Sequence, residues 1–304
     1  MRMIPKTAVS LVCLVGLLPA CSSSEPDASA RPNIVVTYSV LGSVVSDLVG
    51  DAADVTILIP DGQDPHDFQP SARDIETINN ADIVVSNGLD FEEGLEDVLA
   101  SAIENGVSVY MIGENITVRE PDEDHAEEDG HAEEDGHAHG AGDPHVWLSP
   151  LSFTEALPSL ADAINSATGL SIDETTALDQ LTQLDDEITD VIGGISSCVM
   201  VSGHDEMGYF ADRYGCTVIG AIIPSFSTTS EATAKQIADL KVLAISNNVK
   251  AVFTGLGTPS EVSEQLASEL GIAAVSLSTH YLNGAANYRE FMLNLANQIA
   301  EALR

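Results

Sequence analysis

Twice along this chain short β-rich runs alternate with helical periods, and between the two series lies its longest periodic segment, residues 172–192. In the first series, residues 34–38, 55–59, 83–86 and 107–112 read as strands, with helical periods at 40–49, from Ser71 through Asn79, and at 91–103. A helix at 151–167 follows, which Pro158 is placed to kink or split. The second series has strands at 198–202, 216–221, 251–254 and 273–277, with helices at 206–214, 231–246, 260–270 and 287–303. Strands separated by helices require parallel pairing through right-handed crossovers. The expected fold is therefore α/β, with two parallel-sheet (βα) lobes. In the middle segment Leu178, Leu181, Leu184, Ile188 and Val191 fall three or four residues apart. A helix of roughly twenty residues is about 30 Å long, enough to link two lobes with a cleft between them. The expected organisation is an N-terminal lobe over 33–170, a linking helix over 171–195 and a C-terminal lobe over 196–304.

Residues 119–143 break this rhythm. They carry HAEEDG at 125–130 and again at 131–136, then His137-Ala138-His139, and nothing in the tract is able to bury apolar surface. A loop of this length in a compact domain is functional or disordered, and both are expected here. Imidazole is the commonest protein ligand for divalent transition metals, so His125, His131, His137 and His139 suggest a weak auxiliary metal-binding loop. The whole chain has 48 acids against 11 Lys and Arg, a formal charge of −37. Nucleic acid is excluded as a partner, because phosphate binding needs a basic face. An acidic surface attracts cations in any case.

The first twenty residues read as an export signal: Arg2 and Lys6 precede an apolar run, 7–18, too short to span a bilayer. Leu18-Pro19-Ala20-Cys21 then resembles the lipobox of bacterial lipoproteins, which implies an acylated Cys21, a tether over 21–32 and a position outside the cytoplasm on the membrane surface. The alternative is an ordinary cleavable signal with a chance cysteine. Cys13 leaves with the signal, so Cys198 and Cys216 remain. Each opens a strand of one strand-helix-strand unit, where parallel neighbours start side by side, and export permits a disulfide. Two buried free thiols are the alternative.

Outside the tract the chain has four histidines, His66, His145, His204 and His280. Three follow expected strands, and His145 opens the element after the tract. In open parallel sheets ligands bind beyond the carboxyl ends of the strands, so two histidines from each lobe converge on one cleft. Any one loop histidine is ordinarily a solvated side chain; four placed this way are poorly explained by accident. Asp64-Pro65-His66 and Asp143-Pro144-His145 repeat one tripeptide in which proline stiffens the backbone before the histidine, and a nearby acid is expected to orient each imidazole through its second nitrogen. Trp147, Tyr209 and Tyr214 read as core packing, and the loop 225–230 as a candidate cleft wall.

The stretches DPHDFQPSARDIETINNADIVVSNGLDFE, DPHVWLSP and SGHDEMGYFADRYG resemble the metal-binding lipoproteins of bacterial zinc and manganese ABC importers, a solute-binding family with two lobes joined by a rigid helix. The resemblance covers nearly the whole mature chain. It implies His66, His145 and His204 as metal ligands. The family's fourth ligand is usually an aspartate after the last strand, and LSTHYLNG has none; His280 holds the nearest position, and either it or water completes the shell. Four imidazoles suit tetrahedral zinc, whereas manganese prefers more oxygen. The long histidine-rich loop points the same way by resemblance. The implied function is capture of Zn(II) as transported ligand by a monomeric, lipid-anchored protein that delivers it to an ABC permease and its ATPase. The alternatives are a manganese-binding member, a zinc hydrolase with Glu206 as nominal base, and a metal-buffering or adhesive surface lipoprotein.

Overall fold

The computed structural model describes residues 31–120 and 142–304. The export signal, Cys21 and the four tract histidines His125, His131, His137 and His139 lie outside the described residues.

Residues 31–304 form one compact unit that contains two four-stranded parallel sheets. The first comprises β1 (Asn33–Val36), β2 (Asp54–Ile57), β3 (Ile83–Ser86) and β4 (Ser108–Met111), in the order β2-β1-β3-β4. The second comprises β5 (Val199–His204), β6 (Thr217–Ile223), β7 (Ala251–Thr254) and β8 (Ala273–Ser276), in the matching order β6-β5-β7-β8. In each sheet the chain first moves to one side and then returns to the other. That reversal opens a crevice beyond the strand ends, as the two series of alternating elements led one to expect.

Side-chain alternation explains how each sheet is covered on both faces. Ile34 and Val36 of β1 turn into the central core, whereas Val35 joins an outer cluster with Ile78, Leu95 and Leu99. That outer face is closed by helices α2 (Ala72–Asn79) and α3 (Glu96–Glu104). Ser71 starts α2 with a reciprocal capping box: its hydroxyl accepts from the Asp74 amide, and Asp74 accepts from the Ser71 amide. The second sheet repeats the pattern. Val201 and Val252 face an outer cluster with Leu240 and Leu266, from α7 (Ala234–Ser246) and α8 (Ser260–Leu270).

The central core is continuous between the sheets. It joins Ile34 and Val36 to Met200 and Phe253 through α1 (Ser39–Val49), α4 (Pro150–Thr168), α5 (Thr175–Gly193), α6 (Gly208–Tyr214) and α9 (Tyr288–Leu303). The helix between the two series is thus no free strut, because α5 packs on α1, α4, α6 and α9. Its buried stripe is Ala177, Leu181, Leu184, Ile188 and Ile192, so Leu178 and Val191 fall at the margin instead of the centre. Asp185 is also buried on α5, and Arg213 and Tyr214 of α6 donate to it, the arginine through Nε at 2.8 Å and the tyrosine at 3.1 Å. Helix α4 continues through Pro158, which lies on its exposed face.

A disulfide joins Cys198 and Cys216, whose Cα atoms are 4.6 Å apart. Beyond it, β6 carries an extra residue opposite Val201: Met200 pairs with Val218, but Ser202 pairs with Ala221. After this bulge the pairing continues to His204 and Ile223. Strand β5 therefore includes His204, although the apolar run alone suggested an end at Ser202. The stretch 91–103 also differs, with a 3-10 turn over Glu93–Leu95 ahead of α3.

Candidate metal centre

The four histidines outside the tract converge. His66, His145, His204 and His280 are all buried, and each has a ring nitrogen within 4.8 Å of one on every other. His66 follows β2, His204 ends β5 and His280 follows β8, while His145 precedes a 3-10 turn at Val146–Leu148 that leads into α4. Nε2 of His145 lies 3.1 Å from Nε2 of His204. Neighbouring nitrogens of a tetrahedral zinc shell with 2.0–2.1 Å bonds lie about 3.3 Å apart, so this pair is already at shell spacing.

The Asp-Pro-His tripeptides work in two different ways. In both, the aspartate accepts from the histidine's backbone amide, at 3.1 Å from Asp64 to His66 and 3.0 Å from Asp143 to His145. Asp143 Oδ1 also accepts from His145 Nδ1 at 2.8 Å, which fixes the tautomer and leaves an Nε2 lone pair facing His204. Asp64 makes no such ring contact: its other oxygen accepts from Thr228 at 2.7 Å, and both ring nitrogens of His66 are unpartnered. The expectation that each acid orients its imidazole thus holds at His145 and fails at His66, because Thr228 of the facing lobe occupies the carboxylate.

Around the rings an aromatic wall excludes water. Phe91 meets His66 edge-on at 4.8 Å and stacks on His280 at 5.9 Å; Trp147 lies 5.4 Å from His145 and 5.7 Å from His280. Trp147 anchors the core as expected and also donates from Nε1 to the Thr279 carbonyl at 2.6 Å, which ties the first lobe to the residue before His280. Loop 225–230 lines the cleft through Phe226, 6.4 Å from His145, and through Ser227 and Thr228, which donate to Glu93 and Asp64.

Burial sets the electrostatics. Desolvation, reinforced by the neighbouring imidazoles, holds His66, His204 and His280 well below the usual histidine range, so all three are neutral and able to ligate. Glu206 is buried beside them, with Oε1 3.7 Å from His204 Nδ1 and Oε2 3.8 Å from His280 Nδ1. Burial pushes its carboxyl up to about 7. Sequence reasoning gave Glu206 only the role of a nominal base, since nothing in the linear order puts it next to His280. It lies against the Nδ1 atoms, not the Nε2 pair, which is the wrong side for a base acting on metal-bound water.

Gly208 permits the close fit below the site: a Cβ there would come within 2.6 Å of Asp143 Oδ2 and 2.7 Å of the Arg119 guanidinium. Arg119 lies 3.7 Å from Asp143 Oδ2 through Nη1 and donates from Nε to Asp212 at 2.8 Å. The amide of Asp143 donates to the Arg119 carbonyl at 2.8 Å, so the two ends of the histidine-rich tract meet directly beneath His145.

Fold and donor set together define a two-lobed α/β binding protein closed around four buried imidazoles. The chain belongs to the family described as zinc-uptake complex component A periplasmic, whose model matches residues 34–302. It is 30% identical over 265 residues to the zinc-binding protein AdcA of Streptococcus pyogenes serotype M3, a match covering 83% of this chain and 51% of that protein. The chain thus spans about half the length of the AdcA relatives. With the high-affinity zinc uptake system protein ZnuA of Bacillus subtilis it shares 29% identity over 274 residues, covering 86% of this chain and 84% of that one. The fold matches the periplasmic zinc-binding protein TroA from Treponema pallidum with a TM-score of 0.76 at 22% identity, over 90% of this chain and 99% of that one.

Proposed function

We propose that the protein captures Zn(II) outside the cytoplasm and hands it to the membrane permease of an ABC importer, and that it is no enzyme. One observation carries this reading: four buried imidazoles, contributed by both lobes, have ring nitrogens within 4.8 Å of one another. Neutral imidazole suits zinc, and an all-nitrogen set is a poor match to the oxygen preference of manganese. His66, His145, His204 and His280 are the proposed ligands. The fourth imidazole and the position of Glu206 weigh against a hydrolase, which keeps a coordination position open for water.

Family membership supports the role of a solute-binding component with a permease and ATPase as partners. In this reading residues 1–20 direct export, acylated Cys21 and the tether 21–32 hold a monomer at the membrane, and His125, His131, His137 and His139 collect zinc weakly near the cleft. Residues 33–170 and 196–304 are the two lobes, and 171–195 links them.

The His280→Ala protein tests the ligand set. Zinc affinity, measured by competition with a chromogenic chelator, is expected to fall at least tenfold in this variant. Unchanged affinity with one zinc bound would point instead to a three-histidine site.

A further inference from the structure

Glu206 lies against two of the four imidazoles at once. It stands two residues beyond His204 in sequence, yet its oxygens divide between His204 Nδ1, at 3.7 Å, and His280 Nδ1, at 3.8 Å. The Thr279 hydroxyl stands beside the pair, 3.1 Å from His280 Nδ1. The two rings are stacked with centroids 5.1 Å apart, so one carboxylate reaches both from the same side. Glu206 Oε2, His204 Nδ1 and His280 Nε2 have no hydrogen-bond partner. A buried polar group without a partner is costly, and these three are aimed into one cluster.

Four neutral imidazoles would leave a bound dication with its full charge inside a wall of aromatic rings. The nearby acids differ in how far their own charge is already balanced. Asp143, behind His145, has the Arg119 guanidinium 3.7 Å away. Asp64 accepts from Thr228 and the His66 amide. Among the described residues Glu206 faces only the two neutral imidazoles at this range, and no cation. Closing either gap to hydrogen-bond length takes about 0.8 Å, a side-chain adjustment.

On the reading that these histidines hold zinc, we infer that Glu206 is the positioning residue of the centre. Its oxygens accept hydrogen bonds from the Nδ1–H groups of His204 and His280, so that both rings present Nε2 to the metal and the carboxylate offsets its charge. A carboxylate behind a ligating imidazole raises its basicity and fixes its orientation; here one carboxylate serves two rings.

The test compares the full chain with E206Q and E206D, using zinc competition titration, the visible spectrum of the Co(II) form and thermal unfolding with and without zinc. E206Q is expected to bind one zinc about 10–100-fold more weakly, with an altered Co(II) spectrum and a metal-free Tm no lower than that of the parent. E206D keeps the charge but draws the oxygens back, so its affinity should fall between the two. Parental affinity and spectrum in E206Q overturn the assignment, as does a lowered metal-free Tm with the zinc-induced rise intact, which marks a structural role. Should E206Q not fold, E206D decides alone, and affinity equal to the parent's overturns the assignment. Failure of the parent chain to bind zinc would bring down the functional reading as well, and is distinguishable from failure of Glu206 alone.

Discussion

His66 has both ring nitrogens buried and unpartnered, and His204 and His280 are nearly as isolated. Burial holds all three well below the usual histidine range, while it pushes Glu206 and Glu92 up to about 7. The two groups act in opposite directions on the metal-free protein. The three histidines stay neutral in the folded chain but gain protons in the unfolded chain as pH falls through the ordinary histidine range, which favours unfolding in acid. The two raised carboxyls oppose this, because the folded chain protonates them first, but three groups act against two. Stability of the chelator-stripped protein is therefore expected to fall as pH drops from 6.5 to 5. Urea unfolding across that range checks it, and constant or rising stability would contradict the neutral-imidazole site. At this scale the convergence of the four proposed ligands was legible because histidine outside the tract occurs only at loop and strand ends. Glu206 was not legible, since its contact with His280 joins positions 74 residues apart in sequence.

Elements carry the second part. The disulfide between Cys198 and Cys216 closes a loop of sequence separation 18 around α6, which packs on the site's underside through Gly208 and Tyr209. A closed loop of about that size is worth about 3 kcal/mol. Replacing both cysteines by serine is expected to lower the stability of the protein by roughly that amount in chemical denaturation, with zinc stoichiometry retained. A loss below about 0.5 kcal/mol would mean that α6 is held by packing and the Asp185 contacts alone. Strand and helix types were readable throughout because their apolar periods differ. Boundaries were less so: β5 reaches His204 only because a bulge in β6 keeps the two strands paired, and a bulge leaves no mark on hydrophobic periodicity. Likewise α5 keeps Leu181, Leu184 and Ile188 in its buried stripe but closes the two ends with Ala177 and Ile192 in place of Leu178 and Val191, where it packs on α4 and α9.

For the whole molecule, the two lobes were evident from the repeated strand and helix order, but their shared core was not. Nothing in either series reveals that Tyr288 of the last helix donates to the Trp147 carbonyl, or that its amide donates to Ser43 Oγ of α1. Such contacts, with the Trp147 to Thr279 hydrogen bond, make the cleft a seam in one body. Deleting residues 121–141 is therefore expected to leave the tight zinc site intact: one zinc per chain, with affinity within about threefold of the parent, and fewer weakly bound ions by equilibrium dialysis. Loss of the tight ion on deletion would move the site into the tract.

The meeting of Arg119 and Asp143 carries one more consequence. Because that hydrogen bond closes the ring, the number of residues strung between Glu120 and Gly142 is decoupled from everything below it. Doubling a flexible loop costs only about 0.6 kcal/mol, so tract length and histidine count are free to drift or to be redesigned. Arg119 and Asp143 present the cleft with the same threshold whatever the length between them.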